Sequence, residues 1–164
     1  VGTATYMNAE KFRIAAGINA VHVPYKGSPE AITETMAGRV DYFFAPLVSA
    51  LPMIKAGRLL PLAVGTTRRA SLLPDVPTLI EAGLPKSDYL FWIGMLVSSK
   101  TPREIVHKLN QATLKALQTP EVRERLARLG ADPLPMSPEQ FDELIREEMA
   151  SNAEIIKAAG IKAE

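Results

Sequence analysis

Three short stretches of this 164-residue chain place hydrogen-bond donors where an anion can be held. Gly2-Thr3-Ala4-Thr5 puts a glycine and two hydroxyls at the start of a predicted helix. Gly27-Ser28 lies between a predicted strand and the next helix, and Ala45-Pro46 forms a third joint of the same kind. The chemistry is common to all three. The first N–H groups of a helix have no partner within it, and the aligned peptide dipoles leave a partial positive charge there. A carboxylate at such a start gains about 0.3–1 kcal/mol near the surface, and more when partly buried. Thr3 and Thr5 add hydroxyl donors, and Gly2 allows close backbone approach. Each joint also has a plain structural role. One Thr can simply cap its own helix, and Gly27-Ser28 can be a tight turn with Ser28 as N-cap. Lys26, beside them, reads either as a solvated lysine or as a carboxylate partner.

Few other side chains compete for a chemical role. His22 lies inside an apolar strand and reads as a hydrogen-bonded structural histidine, whereas His107 falls in a charged helix and reads as exposed. Two histidines so far apart, in a chain with no cysteine, have no recognised metal-ligand spacing. Asp41 reads as satisfying a local turn, Phe91 and Trp92 as core, and Arg68-Arg69 as a solvated loop. No nucleophile elbow, zinc-protease motif or phosphate loop occurs. The residues therefore point to binding rather than catalysis, with no catalytic group, cofactor or metal. Nineteen Lys+Arg against eighteen Asp+Glu give a formal charge of +1, which is no nucleic-acid surface. No apolar stretch approaches the length of a membrane span. Hydrophobic residues at 47% and charged residues at 23% suit a chain that buries a core. The absence of cysteine is compatible with an oxidising compartment.

The elements that must position these joints alternate in kind. Strands are predicted at 20–25, 40–44 and 59–64, each rich in strand formers. Between them lie short helices, one opened by Ser28 as N-cap with Pro29 at N1 and stopped at Gly38, the other running from about Leu47 to Ala56 and closed by Gly57. A first helix, capped by Thr3 or Thr5, runs to about Ala16 with Gly17 after it. This alternation predicts parallel βαβ units, in which ligands collect where strand ends meet helix starts. A proline-rich loop covers 65–77, a short helix 78–82, and a buried strand 90–98. Three helices follow. Thr101-Pro102-Arg103-Glu104 and Ser137-Pro138-Glu139-Gln140 have capping-box spacing, and Thr119-Pro120 opens a helix that ends at Gly130. This second half reads as packing.

Certain words in this chain occur in a telling order. They are Val23-Pro24-Tyr25-Lys26-Gly27, Ser49-Ala50-Leu51-Pro52 with Ile54-Lys55-Ala56-Gly57-Arg58-Leu59, Leu62-Ala63-Val64, and Leu73-Pro74-Asp75-Val76-Pro77-Thr78 with Glu81-Ala82-Gly83. Trp92-Ile93-Gly94 and the terminal Ala159-Gly160-Ile161-Lys162 complete the series. Together they resemble the substrate-binding proteins of tripartite tricarboxylate transporters, the Bug or TctC family. The resemblance implies an α/β fold of the type II periplasmic-binding-protein (Venus flytrap) class, present in part. Residues 1–88 would be most of the second ligand-binding lobe, one βαβ lobe. Residues 89–164 would be the returning C-terminal helices of the first lobe, with the N-terminal half-lobe and a secretion signal absent; the opening Val1-Gly2-Thr3 accordingly reads as a mature or cut product.

The resemblance further implies a periplasmic protein that captures a small organic carboxylate, a di- or tricarboxylate, between two lobes. It would deliver that ligand to the membrane permease subunits of the transporter, and Arg68-Arg69 is a lesser candidate for touching them. Gly2 and Thr3 match a Gly-Ser/Thr pair that holds a ligand carboxylate. Ala45 stands where many members carry an acid, so a partner for a ligand ammonium is removed and a plain carboxylate is favoured over an amino acid. Tyr6 departs from a histidine common in the family. The alternative is the effector-sensing domain of a bacterial regulator, since a two-lobed design does not fix function. A signal peptide in the full gene would favour the first reading and a helix-turn-helix the second. An apolar strand left at an open edge is expected to make the piece self-associate or pair with the missing N-terminal part.

Overall fold

The computed structural model describes residues 2–161, so Val1 and Lys162 of the motifs above lie outside the described residues. Among the described residues there are six helices: α1 (Ala4–Ala16), α2 (Ser28–Met36), α3 (Leu47–Lys55), α4 (Arg103–Gln118), α5 (Pro120–Leu129) and α6 (Pro138–Ala159). They fall into two compact units. The first comprises residues up to 91 together with those from 155 onward, and the second comprises 92–154.

Local chemistry explains most helix ends. The Thr3 hydroxyl caps α1 by accepting from the Tyr6 amide at 3.3 Å. Gly17 closes that helix in the left-handed region at φ 62°, where a side chain is strained. Gly130 does the same after α5 at φ 70°. At α6 the capping box forms as its spacing requires: the Ser137 amide donates to Gln140 Oε1 at 2.8 Å, and the Gln140 amide donates to Ser137 Oγ at 3.2 Å. The box expected at Thr101-Glu104 does not form. Pro102 is the N-cap of α4, without a side-chain cap bond, and Glu104 complements the helix dipole instead.

The expected parallel sheet is absent among the described residues. Segments 20–25, 40–44, 59–64 and 90–98 are not strands, and the only pairing is an isolated parallel bridge between Val64 and Thr78. A strand is defined by its ladder, and these segments carry strand composition without a neighbour to exchange N–H and C=O bonds. In three of them apolar residues stay in water, with Val21 86% exposed, Leu60 81% and Ile93 91%, whereas those of 40–44 are half-buried. The segment 90–98, expected as a buried strand, is thus neither a strand nor buried. The first two segments rest on α1 through aromatic side chains. Tyr6 packs on His22 with ring centroids 4.4 Å apart, and Phe12 packs on Tyr42 and Phe44 at 5.5 and 5.3 Å. On the same helix the buried Glu10 accepts from Arg13 Nε and Nη2 at 3.0 and 2.8 Å.

The best-tied part of the first unit is the ring of contacts around Val64. Its amide donates to the Pro77 carbonyl at 2.9 Å, and its carbonyl accepts from Leu79 at 3.0 Å, closing loop 65–77 at its base. The helix expected at 78–82 is a single hydrogen-bonded turn, ended by Gly83 at φ 91°. It is held by a capping box, with the Thr78 amide on Glu81 Oε2 at 2.8 Å and the Glu81 amide on Thr78 Oγ1 at 3.1 Å. The Thr78 amide, together with Arg69, holds the Glu81 carboxyl below its usual range. The Tyr89 amide donates to the Gly65 carbonyl at 2.6 Å, and Lys11 Nζ of α1 donates to the Asp88 carbonyl. Asn8 of α1 lies directly on Gly65, where a Cβ would stand 2.9 Å from Asn8 Nδ2. Asn8 Oδ1 is shielded from solvent and has no hydrogen-bond partner.

In the second unit, Trp92 packs edge-on against Phe141 of α6 at 5.0 Å, and its indole N–H donates to Glu148 at 2.7 Å. A Cβ on Gly94 would meet Phe141 at 2.4 Å, so only glycine lets the ring lie there. The Asn110 side chain of α4 donates to the Met136 carbonyl at 3.0 Å. α4 and α5 pack together, yet neither buries a residue.

The Asn8–Gly65 contact gives a cycle with a definite sign. Gly65→Ala should destabilise the chain by about 0.5–1.5 kcal/mol, the cost of turning the tip of the Asn8 side chain off its rotamer. Asn8→Ala removes both the obstructing amide and an unsatisfied acceptor, whose burial costs about 1–3 kcal/mol. It should therefore be nearly neutral and should rescue Gly65→Ala. Chemical denaturation of the two single variants and the double variant checks this; strictly additive losses would show that the two residues do not touch.

Candidate functional site

The start of α1 is the most developed of the three joints. Thr3 Oγ1 and Thr5 Oγ1 stand 3.0 Å apart in a hydrogen bond whose donor can be either atom. Thr3 Oγ1 already accepts from the Tyr6 amide. The pair holds two hydroxyl protons and uses one between its members. Whichever way that bond points, one proton remains to donate outward. Neither the Ala4 nor the Thr5 amide has an intrahelical partner, as first-turn N–H groups do not. Thr3 is exposed and Thr5 half-buried, so both are within reach of solvent. Gly2 precedes them at φ 81°, a left-handed conformation that suits glycine. Capping and outward donation are therefore compatible at Thr3, because the cap uses an oxygen lone pair and leaves the proton. Of the two capping candidates, Thr3 is the residue that caps.

Electrostatics separates this start from the second joint. The first turn of α1 contains no acid, whereas Glu30 occupies the first turn of α2 and accepts from the Lys26 amide at 3.1 Å. A carboxylate of the protein is thus already seated at the α2 start. Gly27, not Ser28, is the N-cap of α2; Ser28 is the first helical residue and makes no side-chain cap bond. The reason is the extended backbone of Gly27, with φ 178° and ψ 173°, which puts the helical turn one residue earlier than the Ser-Pro pattern suggests. Gly27's own carbonyl accepts from the Ala31 amide at 3.3 Å.

At the third joint Pro46 is the N-cap of α3, and its carbonyl accepts from Ser49 and Ala50 at 2.9 and 3.2 Å. The first turn of α3 is also free of acid. Ala45 donates its amide to the Phe43 carbonyl at 3.1 Å and has no side chain able to bind charge. The structure brings Thr3 and Thr5 together directly. Of the helices these joints open, α2 and α3 pack on each other.

The other singled-out side chains have structural surroundings. His22 is held by the Tyr6 ring rather than by a hydrogen bond, and partial burial there lowers its pKa while Glu10 opposes the shift. His107 is exposed, as expected. Arg68 and Arg69 are not a matched pair. Arg69 Nε donates to both Glu81 oxygens at 3.2 and 3.0 Å, and its Nη1 donates to the Pro74 carbonyl at 3.0 Å. Arg69 is therefore exposed, as expected, and also fastens the loop. The signal for this fastening was the Thr78-x-x-Glu81 spacing, a capping-box signature that the proline-rich setting obscured.

Against known proteins, the model for the tripartite tricarboxylate transporter family receptor matches residues 1–161. A protein of Pseudomonas sp. from the tcbD-tcbE intergenic region is 36% identical over 149 residues, covering 90% of this chain and 44% of its own. The structure of Rpa4515 from R. palustris with adipate superimposes with a TM-score of 0.86 at 31% identity, over 97% of this chain and 53% of that one. MatC from Rhodopseudomonas palustris with bound malate gives 0.79 at 32% identity, over 94% and 54%. Two further matched structures are a periplasmic transporter and the periplasmic binding protein BugD. The chain spans about half the length of these proteins. A family match over nearly every residue, with the acid-free, hydroxyl-bearing start of α1 inside it, leads to one assignment: the chain belongs to the tripartite tricarboxylate transporter receptor family, whose members are non-enzymatic binding proteins.

Proposed function

We propose that this chain is part of a periplasmic solute-binding protein that captures a small organic carboxylate, a di- or tricarboxylate, between two lobes. It would hand that ligand to the permease subunits of a tripartite tricarboxylate-type transporter. The observation that carries the reading is the spare hydroxyl proton of the Thr3–Thr5 pair at a helix start without an acid. Matched proteins solved with adipate and malate support a dicarboxylate in particular. In this reading Gly2, Thr3 and Thr5 receive one carboxylate. Ala45 and Pro46 offer the free amides of α3, and Gly27 and Ser28 form the more occupied joint.

Thr3→Val keeps the shape and removes the hydroxyl. Binding of a carboxylate should weaken by about 1–3 kcal/mol, since a charged acceptor loses a donor. Thr3→Ser should retain most of the affinity. Calorimetry on the three proteins, with melting curves to separate the lost cap from the lost contact, checks this. Unchanged affinity in Thr3→Val would remove Thr3 from the site.

Ligand class follows from Ala45, which supplies no counter-charge for an ammonium, and an unpaired buried charge is costly. Dicarboxylates should stabilise the protein more than any amino acid in a thermal-shift screen. An amino acid at the head of that ranking would overturn the preference.

Exposed apolar segments without backbone partners favour association with another polypeptide. Light scattering should show self-association that grows with concentration, or capture of the complementary half of the fold when that is supplied. A clean monomer at high concentration that ignores the other half would defeat this expectation.

A further inference from the structure

We propose that Arg68 is a specificity-determining residue that receives the second carboxylate of a dicarboxylate ligand; this rests on the reading that the first carboxylate sits at the start of α1. Loop 65–77 begins and ends at one place, because Val64 and Thr78 are bridged. Closed surface loops of this length whose ends meet are frequently functional. The base of the loop touches α1, since Gly65 lies against the Asn8 side chain. Asn8 is five positions after Thr3, which is about 7.5 Å along a helix axis at 1.5 Å per residue. The loop therefore leaves α1 within two helical turns of the Thr3–Thr5 hydroxyls. Thr66 Oγ1 donates to the Arg68 carbonyl at 2.6 Å and folds 66–68 into a short turn. Arg68 is only three residues from the Gly65 contact, a span of no more than about 10 Å even when extended.

Charge singles out the same residue. Arg69 is neutralised by Glu81 and fastened to the Pro74 carbonyl. Arg68 is exposed, and among the described residues no side-chain hydrogen bond or ion pair occupies its guanidinium. Asp75 is the loop's one acid, seven positions further on. A short diacid with one end on the α1 amides and hydroxyls would thus have its other end within the span of a loop that starts against Asn8 and carries an unpaired cation. A guanidinium suits this task because its fork matches a carboxylate in two parallel bonds.

The test is calorimetry of adipate and of hexanoate, which share a chain length and differ by one carboxylate. The proteins are the whole two-lobed protein of which this chain is part, unmodified and with Arg68→Gln, Arg68→Lys or Arg58→Gln, the last removing an exposed cation beyond α3. Arg68→Gln should weaken adipate about tenfold or more and leave hexanoate within about twofold. Arg68→Lys should recover part of the adipate affinity, and Arg58→Gln should change neither acid. Equal losses for both acids in Arg68→Gln, no loss for either, or the same loss in Arg58→Gln would each overturn the assignment. Thr3→Val separates the two readings, because it should weaken both acids alike. A loss there with adipate binding intact in Arg68→Gln leaves the α1 reading standing and removes Arg68; a whole two-lobed protein carrying this chain that binds neither acid overturns both.

Discussion

Side chains spread around α1 do for the first unit what a backbone ladder does for a sheet. Tyr6 meets His22, Phe12 meets Tyr42 and Phe44, Asn8 meets Gly65, and Lys11 reaches the Asp88 carbonyl. Four segments far apart in sequence are tied to one helix of 13 residues. Such a helix is only marginally stable by itself, so it and the segments it gathers order together. Glu10 fits this picture. It is a buried carboxylate, which is tolerated because Arg13 on the next turn donates two hydrogen bonds to it. Arg13 in turn sits in the last turn of α1, where a cation opposes the negative end of the dipole.

Anchoring α1 through side chains from Tyr6 onward leaves the Thr3 and Thr5 hydroxyls at its start open to solvent. The positive end of the dipole is not neutralised by an acid, the cap is made by a hydroxyl, and the bonded pair of hydroxyls retains one proton between them to donate outward. A carboxylate capping residue would have satisfied the helix more strongly and would have repelled an anionic ligand. Threonine caps less strongly than aspartate and so leaves the position open. The difference between α1 and α2 is of this kind: Glu30 stabilises its own helix start and fills it.

The helices were legible in the sequence because their signals are local. Thr3, Gly17, Gly130 and the Ser137–Gln140 box act through neighbours within five residues, and the structure places them as the spacing indicates. The strands were not realised for the opposite reason. Val40-Asp41-Tyr42-Phe43-Phe44 has strand composition, but composition cannot supply the partner that makes a ladder. At the site, the Thr3 cap was readable, while the Thr3–Thr5 bond and the division of labour between Arg68 and Arg69 depend on contacts that no spacing rule encodes. Ser28 shows the limit of a local rule. A glycine with extended backbone just before it took the capping position and moved the helix start by one residue.

Order in the first unit is therefore uneven, and the unevenness has a physical basis. Around Val64, Thr78 and Glu81 the backbone and side chains exchange a cluster of hydrogen bonds, and Thr78 and Ser87 are almost fully buried. Along 20–25 and 60–63 the backbone groups face water, which satisfies them without rewarding any one conformation. The loop base is closed by internal bonds, whereas 20–25 meets α1 through the His22–Tyr6 ring contact. A ligand bound at the start of α1 would act on the better-ordered side of this division. Its contacts would reach the Val64 ring through Asn8 and Gly65, so that binding and the stability of the loop base become linked.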